Sequence, residues 1–242
     1  MAKKNKAGPG PCIHCLAHCK ERTWDHVFPV SWYPDTTPDN LERWKFPSCE
    51  PCNAAYGLLE QDLLLRAGLS LDPTTIEASG ITALALRAMD PAHAKNDVDQ
   101  RAREARRRQI LGETFLVGPE HARAILPGFG PHPGPPIGIG VPAKSLERLV
   151  EKVARGLTYL RAQRLITPQY RITMFVDPRQ GAGFEQALAQ WGQRYERGPG
   201  LIVKHAIAHD DNSASIFSVT LWGALQLWGT VQPVPVNHPA PV

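Results

Sequence analysis

"CEPCNAAYGLLEQDLLLRAG", residues 49–68, decides the fold of the N-terminal part of the chain. Its first four residues place two thiols, Cys49 and Cys52, at the two-residue gap that lets both sulfurs turn toward one ion. The residues after Cys52 are helix-like: Leu58, Leu59, Asp62 and Leu63 lie in a run of good helix formers, and Gly68 is a stop signal. Working backward, "TWDHVFPVSWY", residues 23–33, has the aromatic and β-branched bias of a strand. "PDTTPDN", residues 34–40, is punctuated like a loop, and a second short strand or extended piece fits before Cys49. Farther back, "CIHC" supplies Cys12 and Cys15. The order is knuckle, strand, loop, strand, knuckle, helix. Two such knuckles are the usual way to build a four-thiolate zinc site, so structural Zn2+ is expected on Cys12, Cys15, Cys49 and Cys52. A fifth cysteine, Cys19, is left over, and it or His18 could replace one ligand. A disulfide framework is not expected in a reducing cytosol.

With the knuckles in place, Asp25-His26 with Pro29, then Asn40-Leu41, then Asn53 directly after Cys52, complete a pattern. It resembles that of the HNH endonucleases, also called ββα-metal or His-Me finger nucleases. The likeness covers about 55 residues, under a quarter of the chain of 242, and rests on several parts in the right order and spacing. Family members often carry a lysine three residues after the final asparagine; this chain has Tyr56 there. The resemblance implies a ββα unit in which His26 activates water, Asp25 and Asn53 hold a divalent ion, and Asn40 steadies the loop and orients His26. It also implies 5′-phosphate products.

The chemistry asks for such residues in any case. A phosphodiester repels hydroxide and has a poor leaving group, so hydrolysis needs a base and a cation. Histidine titrates near neutrality. A carboxylate and an amide carbonyl are hard oxygen ligands that suit Mg2+ or Mn2+. One geometric objection stands. Neighbours on a strand point to opposite faces, so Asp25 and His26 serve one site only if the strand ends or twists there. The plain alternative for the pair is a turn on a non-catalytic zinc ribbon, and for Asn53 a helix N-cap. His14 and His18 read as exposed loop residues. His205 and His209, four apart on an expected strand, offer a weaker candidate metal pair.

The rest of the chain is read more coarsely. Residues 1–10 are expected to be a disordered basic tail, 11–68 the nuclease unit and 69–117 a helical region. Residues 118–143 are rich in glycine and proline and read as a linker or an extended segment. Residues 144–242 read as an α/β unit of unknown role with a small, mostly antiparallel sheet, entered by an amphipathic helix behind Ser145. The class is α+β. Net charge is +4, compatible with a nucleic-acid partner, and Arg101, Arg103, Arg106, Arg107 and Arg108 crowd one segment. Their plain reading is a solvated helix face; their functional one is nucleic-acid binding. No long apolar run indicates a membrane partner, and the basic start does not read as a signal peptide, so a cytoplasmic protein is expected.

A metal-dependent endonuclease acting on DNA, less readily on RNA, is the leading expectation. A free-standing nuclease with an added domain fits bacterial defence against foreign DNA. A non-catalytic zinc ribbon that docks nucleic acid or a partner is the rival. Cutting both strands with one such site favours a homodimer, for which the C-terminal domain could supply the interface.

Overall fold

The computed structural model describes residues 6–118, 137–176 and 178–235. Strands β1 (Gly10–Pro11) and β2 (His18–Cys19) close a small hairpin around the first knuckle. Strands β3 (Thr23–His26) and β4 (Lys45–Ser48) pair antiparallel, Asp25 opposite Phe46 and His26 opposite Lys45. Helix α1 (Glu50–Gly68) follows at once, with Pro51 in its first turn and its end at the expected glycine. The strand–strand–helix order read from the sequence is therefore present.

Residues 6–10, expected to be disordered, are tied down. Lys6 bridges to Thr23, and the Arg22 guanidinium donates to the carbonyls of Ala7, Gly8, Pro9 and Pro11. One planar fork meeting four carbonyls holds a segment that has no apolar pattern of its own. Residues 1–5 lie outside the described residues.

The middle of the chain holds α2 (Ile81–Met89) and α3 (Asp97–Gly112), then β5 (Thr114–Leu116), which pairs with β6 (Ile137–Ile139). Asn96 caps α3 through its side chain, accepting from Asp99 N–H. Of the Gly/Pro-rich segment read over 118–143, residues 119–136 lie outside the described residues, while its last part forms β6. The buried Arg66 guanidinium joins Asp62 of α1, Glu113 after α3 and the Gly140 carbonyl.

Helix α4 (Ala143–Ala162) begins two residues before Ser145, so that serine lies inside its first turn and Pro142 is the N-cap. Then come β7 (Tyr170–Phe175), α5 (Pro178–Trp191), β8 (Gln193–Glu196), β9 (Ile202–Ile207), β10 (Ser215–Leu221) and β11 (Leu225–Pro233). The five strands make one sheet in the order β7-β11-β10-β9-β8, antiparallel throughout. The β10–β11 turn places Trp222 (φ 53°) and Gly223 (φ 68°) in the left-handed region. A tryptophan is strained there. It is held because its indole packs on Trp32, centroids 5.1 Å apart, and donates to the Trp32 carbonyl at 2.9 Å. The proline-rich tail beyond residue 235 is outside the described residues.

The N-terminal and C-terminal units do not keep separate cores. Val27, Phe28, Trp32 and Phe46 belong to the same buried cluster as Leu149, Val153 and Leu157 of α4 and Phe217, Leu221 and Trp222 of the sheet. Close approach is possible because Gly156 lacks a side chain: a Cβ there would sit 2.8 Å from the Phe46 ring. Among the described residues no helix is long and apolar enough to cross a membrane.

Candidate functional site

Three groups of side chains meet on and under the β3–β4–α1 unit. The first is the cysteine cluster. The sulfurs of Cys12, Cys15, Cys49 and Cys52 all lie within 4.8 Å of one another. A tetrahedral site with zinc–sulfur bonds of about 2.3 Å implies sulfur separations near ~3.8 Å, and Cys15 Sγ and Cys49 Sγ are 3.9 Å apart. The backbone N–H groups of His14 and Cys49 point at Cys12 Sγ, at 3.4 and 3.3 Å. Burial pushes the Cys12 thiol up, but N–H donors from Cys15, Cys49 and His14 outweigh it and hold the thiol down at about 7. The four cysteines are thus in a position to bind a metal such as zinc, and the donor set suits it. Cys19 is apart, donating to the Ala17 carbonyl, and His18 is exposed on β2. Neither replaces a member of the set. Among the described residues no other group of three His, Cys, Asp or Glu side chains is close enough to share an ion.

The second group lines an open pocket of about 410 Å³ formed by Thr23, Trp24, His26, Lys45, Glu50, Asn53 and Ala54. Here His26 of β3 and Asn53 of α1 come together. Asn53 is not the N-cap, a place taken by Cys49; its amide donates to Thr23 Oγ1 at 2.9 Å. Burial depresses the His26 pKa below the ordinary imidazole range, helped by the positive charge of Lys45 and opposed by Asp25. Asn40 is exposed in the turn before β4 and does not line the pocket.

The third group is buried and was not foreseen. Asp25 is only 5% exposed and lies on the opposite face of β3 from His26, as strand alternation demands. Its Oδ2 meets His14 Nε2 at 3.3 Å and its Oδ1 accepts from Lys152 Nζ of α4 at 2.8 Å. Lys152, fully buried, also donates to Glu60 of α1. β3 ends at His26, yet Asp25 is not among the residues that line the pocket with Asn53. Asp25 and Asn53 therefore do not form a divalent-ion site with the side chains as they stand, because both Asp25 oxygens are engaged by cation and imidazole. His14, expected on the surface, has a side chain 4% exposed, packed on Tyr56 and Phe46.

Two buried carboxylates share one buried ammonium. Burial pushes Glu60 up to about 7, against the pull of Lys152, and the Asp25 charge adds to the rise. A folded-state value above the ordinary one means the fold binds that proton more tightly than the unfolded chain. Its contribution to stability is complete below the unfolded value near 4.5 and is lost as pH rises through about 7. Urea melts of the zinc-loaded protein between mildly acidic and mildly basic pH are expected to show a loss on the order of 2–3 kcal/mol. Glu60→Gln should flatten that slope; an unchanged slope would mean the group does not titrate there.

The arginine segment is α3. Arg103 ion-pairs with Asp99 and donates to the Arg87 carbonyl, and Arg106 donates to Gln61. Arg101, Arg107 and Arg108 are exposed. His205 is 4% exposed and burial depresses it to about 4, while His209 lies beyond the end of β9. The two therefore do not share one strand face. Comparison of the chain with family models, with curated proteins and with solved structures finds no match.

Proposed function

We propose that the chain is an HNH-type endonuclease that hydrolyses DNA phosphodiester bonds, with His26 as general base and a structural Zn2+ on the four cysteines. The observation that supports this reading is the pocket where His26, Lys45 and Asn53 meet, on a strand–strand–helix unit clamped by the cysteine cluster. Four thiolates leave a zinc ion no open position, so its part is to join the first knuckle to the start of α1. His26, held neutral near pH 7 by burial and Lys45, keeps a lone pair with which to take a proton from water. Lys45 brings positive charge to the same wall, where the phosphate charge would lie.

The HNH pattern assigns Mg2+ or Mn2+ to Asp25 and Asn53. That pair does not fit an ion in this arrangement, since Lys152 and His14 engage both Asp25 oxygens. The pocket's own oxygen-bearing residues suited to such an ion are Asn53 and Glu50. The engagement of Asp25 by Lys152 favours a second reading, a zinc ribbon that binds nucleic acid without cutting it.

Plasmid nicking in Mg2+ or Mn2+, native protein against His26→Ala, separates the two. The nuclease reading expects cleavage by the native protein and a loss of roughly 100- to 10,000-fold in the variant, with zinc content unchanged. Supercoiled plasmid left intact by the native protein in every metal, while DNA is still bound, would establish the ribbon instead.

A further inference from the structure

Beyond Lys45, the wall of the pocket continues into a ladder of arginines and aromatic rings. Trp44 packs on Tyr195 of β8, the outer strand of the sheet, with centroids 5.2 Å apart at 64°. The Arg197 guanidinium lies 4.7 Å over the Trp44 ring, and that of Arg161, from α4, lies 5.0 Å over the Tyr195 ring. Arg43 lies 4.9 Å over Tyr33. The charges of Arg43 and Arg197 are both felt at Tyr33, and those of Arg43 and Lys45 at His26. A contact path therefore runs from the His26 pocket through Lys45 and Trp44 to the β8 edge.

Stacking uses the flat face of a guanidinium and leaves its N–H rim, which matches two phosphate oxygens at once. Little on the protein takes up that rim. Among the described residues none of Arg43, Arg161 and Arg197 pairs with a carboxylate; Glu196, the nearest acid along β8, is taken by Arg194. Arg161 donates to the Gln193 amide and Arg197 to the Glu196 carbonyl. Arg43 Nε is buried without a hydrogen-bond partner, so its outer guanidinium nitrogens are the ones that would meet an anion. On α3, by contrast, Arg103 is paired with the Asp99 carboxylate.

We propose that Arg43, Arg161 and Arg197, set against the rings of Tyr33, Tyr195 and Trp44, form a docking track for the phosphate backbone of DNA leading to the His26 pocket. The partner class follows from the charge: uncompensated forks in series suit a polyanion with regularly spaced phosphates. The proposal rests on the nucleic-acid reading of the pocket, and it gives the C-terminal sheet a role.

The test is anisotropy of a short fluorescein-labelled DNA duplex without added Mg2+ or Mn2+, for the native protein and for Arg43→Gln/Arg161→Gln/Arg197→Gln. The triple variant should bind about tenfold more weakly or worse, and the slope of log affinity against log salt should shrink by roughly 2 to 3. Native affinity and slope in a variant with normal zinc content and melting would overturn the track, as would a native protein that does not bind the duplex. Should the triple variant not fold, photo-crosslinking of the native protein to iodouracil-containing duplex decides. Adducts within residues 43–45 or 193–197 support the track, and adducts confined to α3 sink it. A native protein that binds through these residues but never cleaves leaves the track standing and removes hydrolysis. One that cleaves, with a triple variant that binds and cleaves as well, removes the track alone.

Discussion

Cys49→Ser is expected to abolish metal binding and to unfold the N-terminal unit. The unit's regular structure is two pairs of short strands, one turn of 3-10 helix and one α-helix, and Cys49 holds two posts in it. Its sulfur belongs to the four-cysteine cluster, and its backbone is the N-cap of α1. Binding of zinc to sites of this type is worth about 10–16 kcal/mol, whereas a whole domain is stable by only about 5–15 kcal/mol. Native protein should carry one zinc per chain by elemental analysis, and the variant close to none. Circular dichroism should show the melt broadened and shifted far down, and a strong chelator should do the same to native protein. Cys19→Ser, altering a partly exposed thiol outside the cluster, should change stability by less than about 0.5 kcal/mol. Native protein that melts identically with and without chelator would remove zinc from the account.

Lys152→Met is expected to be the most damaging single change in the C-terminal half. Methionine matches the stem in length and fills the same space, so the loss isolates the ammonium. Without it the Asp25 carboxylate, 5% exposed, keeps only the His14 imidazole, which burial holds below its ordinary pKa and so mostly uncharged near neutrality. Removing one partner of a buried ion pair costs about 3–5 kcal/mol. The penalty should shrink as pH falls and the stranded carboxylates take up protons, and it should be largest above neutrality. A triple change, Lys152→Met with Asp25→Asn and Glu60→Gln, should recover most of the loss, since an uncharged set no longer needs a cation. Urea melts of the single and triple variants at two pH values measure both effects. A single variant as stable as the native protein at pH 8 would show that water reaches Asp25.

Much of the candidate site was legible because it is local in sequence. The paired thiols fix the knuckles by spacing, and the residues directly after Cys52 can only lie in the first turns of the helix. That puts Asn53 near β3 without further information. Alternation along β3 already told against Asp25 and His26 sharing a face, and the structure keeps the alternation. What could not be read is what waits on the far side of Asp25. Lys152 looks like one more polar residue in a charged helix. The available signal was its place three residues after Leu149 and four before Gly156, on the buried stripe of α4. His14 was hidden for the same reason: a polar side chain in a tight loop reads as exposed until a partner carboxylate is placed beneath it. Apolar patterning marks which residues are buried, not which elements bury them, so the cluster that joins Phe46 to Leu157 and Phe217 could not be read from it.

The bond from Asp25 to Lys152 spans 127 residues. A chain made from its N-terminus exposes the acid and its strand long before the ammonium that will neutralise them exists. Contacts so distant along the chain slow the search for the native state. During synthesis all four cysteines emerge by residue 52, yet the strand between the knuckles has an unanswered charge until α4 emerges. A fragment ending after α1 lacks that ammonium altogether, so the strand–strand–helix unit is expected to need α4 for its stability. The nascent chain is most exposed to misassociation in the interval between those two events.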